Sequence, residues 1–151
     1  IIWSQFYFMK IIFDYNRTIF NPDADTVYPG VLELLQRLSA RHELLLVSRN
    51  EPARKKRIEE LGIKNYFQKI VFVHKKSKQL FKEIAGNEKK VMVVGDSISD
   101  EITIGNQLGL ITVRLKKGKF AVEIPKDNNE LARYEITDIN ELENIIARYE
   151  E

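Results

Sequence analysis

The sequence predicts an α/β fold, a doubly wound and mainly parallel sheet in a three-layer sandwich, with no separate cap domain. Three observations carry this expectation. Strand-like and helix-like segments alternate along the whole chain. The strand-like runs are continuously apolar rather than alternating, as strands covered on both faces are. The first of them, Lys10–Asp14, ends in an acid, at the kind of position where open parallel sheets place their binding groups.

The elements follow in order. After the strand Lys10–Asp14, residues 29–40 carry Val31, Leu32, Leu34, Leu35 and Leu38 at helical spacing, with Pro29 suited to a first turn. The polar stretch Arg41-His42-Glu43 ends that pattern, and 44–48 reads as a buried strand. A charged helix over 51–61 is closed by Gly62, as a C-terminal glycine cap would do. Lys69–Val73 is the third strand, 76–85 the third helix and 90–95 the fourth strand. The helix 102–108 ends at Gly109, the fifth strand spans 110–115, and 139–149 forms a last amphipathic helix. Residues 116–129, with Gly118, Pro125 and Asn128-Asn129, read as an exposed connection.

With 151 residues, the chain fits one domain, expected over 9–151 after an N-terminal extension at 1–8. Composition narrows the function classes. Apolar residues make up 44% and charged residues 30%, which excludes a disordered tail, and the formal net charge is only +2. Cysteine is absent, so disulfides and thiolate metal sites are excluded; the expected compartment is the cytoplasm. The apolar runs are strand-sized, which argues against a membrane partner.

Chemistry concentrates at four strand ends. Strand one ends in Asp14-Tyr15-Asn16-Arg17-Thr18, strand two in Ser48-Arg49-Asn50, and strand four in Gly95-Asp96-Ser97-Ile98-Ser99-Asp100-Glu101. The lysine-rich turn Lys75-Lys76-Ser77-Lys78 opens the third helix. In order and spacing, over 9–118, these segments resemble the four motifs of the haloacid dehalogenase superfamily. The resemblance implies a HAD-like Rossmannoid hydrolase, with Asp14 attacking a phosphoryl group to form an aspartyl-phosphate. It implies Mg²⁺ as cofactor, held by Asp14, the backbone carbonyl of Asn16 and Asp96, with Asp100 favoured slightly over Glu101 as the second acid of the fourth motif. Ser48 would donate to a phosphate oxygen, with Arg49 beside it. Lys76, favoured narrowly over Lys75 and then Lys78, would screen the nucleophile. Arg17 stands where glycine is common; it is a candidate contact for a substrate anion, and a surface salt bridge is the plainer reading.

One departure from the family pattern bears on turnover. Phosphatases of the superfamily usually carry a second aspartate two residues after the nucleophile, as general acid and base. Here that position is Asn16, whose amide cannot shuttle a proton at neutral pH. The expected function is therefore a Mg²⁺-dependent phosphohydrolase or phosphotransferase; the alternative is a weak or inactive module that binds phosphate or a partner. Dehalogenation is disfavoured, because Tyr15 lies one position too early for the tyrosine of those enzymes. Neither 19–43 nor 49–69 has room for a cap, so the site should be open, with a small flap at 21–25. In the family an open site goes with large phosphorylated substrates or with a homo-oligomer in which a neighbour acts as lid. The acids of the flap disfavour nucleic acid.

Overall fold

The structure is a computed structural model that describes residues 7–150. Six parallel strands form its sheet: β1 (Lys10–Asp14), β4 (Glu43–Arg49), β5 (Lys69–Val73), β6 (Val91–Gly95), β7 (Ile111–Leu115) and β8 (Tyr134–Ile136). Their order across the sheet is β5-β4-β1-β6-β7-β8. The chain winds outward from β1 through β4 to β5, then crosses to β6 on the other side of β1 and continues to β8. The reversal falls between β1 and β6, so the carboxyl ends of these two strands flank the crevice that such a switch opens.

Burial explains why the strands read as continuous apolar runs. Ile11 and Phe13 of β1 pack with Leu44, Leu46, Met92 and Val94 on one face, under helices α1 (Val31–Ser39), α2 (Arg54–Glu60) and α5 (Leu142–Ala147). Ile12 faces the other way, with Leu45, Val47, Val91 and Val93, under α3 (Lys78–Ala85) and α4 (Thr103–Gln107). Burying one such aliphatic side chain contributes about 1.5–3 kcal/mol, so both faces hold the sheet in place.

Several boundaries differ from those read in the sequence. The second helix begins at Arg54 rather than Glu51, because Asn50–Pro52 leave β4 as a loop and Ala53 takes a left-handed φ of 62°. The sixth strand, β8, lies beyond the exposed connection. It is a three-residue edge strand, too short and too polar to stand out in a sequence. The stretch expected as a flap is the turn of a small antiparallel hairpin, β2 (Phe20–Asn21) with β3 (Thr26–Val27). Arg57 of α2 donates to the Asp25 carbonyl and its guanidinium lies 5.9 Å from the Phe20 ring centre, tying hairpin to helix. Among the described residues no separate cap domain is present, and no helix is long and apolar enough to cross a membrane. Residues 1–6 of the expected extension lie outside the described residues; Phe8 packs under the Arg41 guanidinium at 5.2 Å.

Candidate active site

The ends of β1 and β6 bring three carboxylates together. Asp14, Asp96 and Glu101 are all buried, and one oxygen of each lies within 4.8 Å of the others. Lys76 enters from the turn before α3, its ammonium 2.5 Å from Asp14 Oδ1 and 3.3 Å from Glu101 Oε2. Its neighbours Lys75 and Lys78 are exposed. Thr18 holds the second Asp14 oxygen at 3.3 Å, so the carboxylate is fixed at both ends. Arg17 Nε donates to Asp96 Oδ2 at 3.0 Å.

The local chain path accounts for these positions. Arg17 has φ 62°, the left-handed region in which glycine is the easy choice, because the chain turns sharply so that its N–H reaches the Phe20 carbonyl. Its ion pair is not at the surface: it lies within the cleft, with the guanidinium 4.8 Å over the Phe120 ring. After β6 the chain winds as a five-residue π-helical turn, Ile98–Ile102, before α4. That turn sends Glu101 inward against Gly95, where an added Cβ would fall 2.5 Å from Glu101 Oε1. Asp100, the residue favoured from the sequence, turns instead to the cleft edge and lies 3.6 Å from Arg49. A signal for Glu101 was present: it shares the i, i+3, i+4 face of Ile98 and Ile102, both buried.

Electrostatics follow from this crowding. Burial raises the Asp96 pKa to about 7, assisted by the nearby Asp14 carboxylate and opposed by Arg17. Glu101 is pushed up for the same first reason, then by Asp14, against the pull of Lys76. Burial alone would lower Lys76, but Glu101 and Asp14 more than offset it and hold its pKa above the ordinary lysine value. Three carboxylates face two cations, and Glu101 Oε1 is buried without a hydrogen-bond partner. An all-oxygen donor set with a surplus negative charge suits a hard divalent cation such as Mg²⁺. Asp14, Asp96 and Glu101 are the side chains that would hold it, with Asn16 lining the same cleft beside Asp14.

The cleft around them has a volume of about 360 Å³. Its walls carry Arg17, Arg49, Arg54 and Lys119 around the carboxylates, together with Asp100, Glu51 and Glu123. Ser48 is fully buried, and its hydroxyl is already engaged: it donates to the Arg49 carbonyl at 3.0 Å and accepts from Arg54 Nη1 at 2.7 Å. Two residues escaped the sequence reading. Arg54 hid in a run of surface-like charges, Arg54 to Arg57. Arg114 lies in an apolar strand, 1% exposed, pairs with Glu135 at 3.2 Å and donates to the carbonyls of Phe120 and Glu123. It thereby fastens the loop that brings Lys119 and Phe120 to the cleft.

Residues 6–109 match the haloacid dehalogenase-like hydrolase family, and the chain belongs to that family. A glyceraldehyde 3-phosphate phosphatase from Methanopyrus kandleri is 27% identical over 95 residues, covering 57% of this chain and 41% of that protein. A HAD hydrolase from Bacillus subtilis, bound to magnesium, superposes with a TM-score of 0.66 at 23% identity, over 80% of this chain and 56% of that one. A haloacid dehalogenase-like hydrolase structure from Burkholderia xenovorans gives a TM-score of 0.75 at 14% identity, over 90% of this chain and 97% of that one. The chain thus spans about half the length of the first two.

Proposed function

We propose that the chain is a Mg²⁺-dependent phosphohydrolase or phosphotransferase that works through an aspartyl-phosphate on Asp14. The observation that carries this reading is the Asp14 carboxylate, oriented by Lys76 and Thr18 beside Asp96 and Glu101 at the sheet's switch point. The phosphatase from Methanopyrus kandleri and the magnesium-bound Bacillus subtilis hydrolase support it. Asp14 attacks phosphorus, an oxygen–phosphorus bond forms, and the bond to the leaving oxygen breaks. Lys76 stays charged and screens both the nucleophile and the incoming phosphoryl oxygens. A bound Mg²⁺ would supply further charge neutralisation between nucleophile and phosphate. In the second step water, or another acceptor, attacks the aspartyl-phosphate, which releases Asp14 and phosphate or transfers the group.

Asn16 sets the limit on rate. Lacking an acid there, the leaving oxygen takes its proton from water, so substrates with good leaving groups should turn over best. Loss of general acid–base help typically lowers rate by about 10²–10⁴-fold. The test is hydrolysis of an activated aryl phosphate with Mg²⁺ by the natural protein, Asp14→Asn and Asn16→Asp. Activity that vanishes in Asp14→Asn and rises in Asn16→Asp supports the mechanism. A natural protein as inert as Asp14→Asn, beside an active Asn16→Asp, would establish the alternative of a phosphate-binding module.

A further inference from the structure

We infer that the substrate is a phosphoanhydride, whose leaving group carries a phosphate of its own, and that Arg17 and Lys119 hold that leaving phosphate. This inference rests on the phosphoryl-transfer reading above and names its substrate class. Asn16 offers no proton, so charge on the leaving oxygen is met either by water or by a cation of the site. A leaving phosphate is stable as an anion near neutrality, whereas an alkoxide is not. It also gives cations a group to hold.

The chain places two cations for this. Arg17 keeps its left-handed φ of 62° where glycine would carry no steric cost. The loop after β7 is shaped around it: Gly118 stands at φ 79°, and a Cβ there would fall 2.9 Å from Arg17 Cδ. Phe120 gathers both cations over its ring, the Arg17 guanidinium at 4.8 Å and the Lys119 ammonium at 5.0 Å. Arg114 fixes that loop through the carbonyls of Phe120 and Glu123. Arg17 Nε is bound to Asp96, but its terminal nitrogens make no hydrogen bond among the described residues, and Lys119 makes no ion pair among them. Both residues line the cleft with Asp14. A guanidinium fork and an ammonium gathered on one ring suit the oxygens of a phosphate. Glu51, Asp100 and Glu123 line the same cleft, so it suits one further phosphate better than a long polyanion.

Asp14 attacks the terminal phosphorus, an oxygen–phosphorus bond forms, and the bond to the bridging oxygen breaks, its electron pair departing with the second phosphate. Water then attacks the aspartyl-phosphate, so that pyrophosphate and water become two hydrogen phosphate ions, both protons coming from that water. The test compares inorganic pyrophosphate, a nucleoside diphosphate and para-nitrophenyl phosphate, with Mg²⁺ in excess, for the natural protein, Arg17→Gly and Lys119→Ala. Nitrophenolate leaves about as readily as phosphate but carries no phosphate for the two cations to hold. Any effect of Arg17→Gly on Asp96 is common to all three substrates and cancels in the ratio of their kcat/KM values. Arg17→Gly should therefore lower kcat/KM for an anhydride by about 10- to 100-fold more than for the nitrophenyl ester. Lys119→Ala, at an exposed residue, should do so by up to about 5-fold more. Preference for pyrophosphate or for the nucleoside diphosphate supports the inference either way and says whether the leaving phosphate is free or part of a nucleotide. Equal losses on ester and anhydride, or no anhydride turnover by a protein that hydrolyses the ester through Asp14, would overturn it and leave the aspartyl-phosphate chemistry standing. Inertness toward all three substrates, with no phosphoryl group on Asp14, would remove both.

Discussion

Replacing Lys76 with methionine preserves most of the side-chain volume and removes the ammonium. The Lys76 side chain is 4% exposed, and those of Asp14 and Glu101 are 10% and 2% exposed. The substitution therefore leaves two carboxylates facing each other with little water to screen them. Removing one partner of a buried ion pair costs about 3–5 kcal/mol, while the near-equal volume keeps the packing loss small. The pH dependence identifies the cause. In the natural protein Lys76 has a raised pKa, so its stabilising charge is complete below the ordinary lysine pKa and is lost only when pH climbs past the folded value. It does not titrate near neutrality. Glu101 has a raised pKa as well, from burial first and then Asp14, and loss of Lys76 raises it further. A carboxyl of that kind takes up a proton on folding, so its contribution is greatest in acid and disappears as pH rises through the folded pKa. Urea unfolding in chelator should therefore show Lys76→Met to be less destabilised near about pH 5 than near about pH 8, with the pH 8 loss within the 3–5 kcal/mol range. A variant as stable as the natural protein, or a loss that ignores pH, would refute the reasoning.

Three further outcomes follow from the same geometry. Mg²⁺ at a hundred times its dissociation constant stabilises a folded protein by about 2.7 kcal/mol; this gain, read as a rise in melting temperature, should be lost in Glu101→Gln and kept in Asp100→Asn. Arg114→Met should cost about 1–3 kcal/mol through the Glu123 carbonyl that it leaves unpaired, while the Phe120 carbonyl keeps the Glu123 N–H, and hydrogen exchange should quicken first in residues 118–123. His42 is 1% exposed, and burial lowers its pKa against the opposing pull of Glu150. Its contribution is complete above the ordinary histidine pKa and is lost as pH falls through the depressed one. Relative to His42→Phe, the natural protein should therefore lose up to about 1.4 kcal/mol per pH unit on acidification across that window, measured by urea unfolding.

Much of the fold was legible because burial on both faces writes the parallel strands as apolar blocks: Ile11 and Phe13 belong to one core, Ile12 to the other. Strand ends were legible for the same reason, since an acid or serine closing such a block stands out, as Asp14, Ser48 and Asp96 do. β8 was not, because a three-residue edge strand buries too little to leave a pattern. Lys76 could be separated from Lys75 and Lys78 only by the turn that buries one ammonium and leaves the other two in solvent. Glu101, rather than Asp100, lies with Asp14 and Asp96 because a π-helical turn, not an ordinary helix start, follows β6, and Gly95 leaves room for it. Arg54 and Arg114 depend on contacts with Ser48 and with residues 120–123, which no local pattern encodes.

The most direct test of an aspartyl-phosphate on Asp14 is to mix the protein with an activated aryl phosphate and Mg²⁺, quench in acid, and map the phosphoryl group by peptide mass spectrometry. With Asn16 unable to activate water, the adduct should accumulate on Asp14 in the natural protein and decline in Asn16→Asp as turnover rises. Phosphate release at an undiminished rate by Asp14→Asn, with no phosphoryl group on Asp14 of the natural protein, would contradict it.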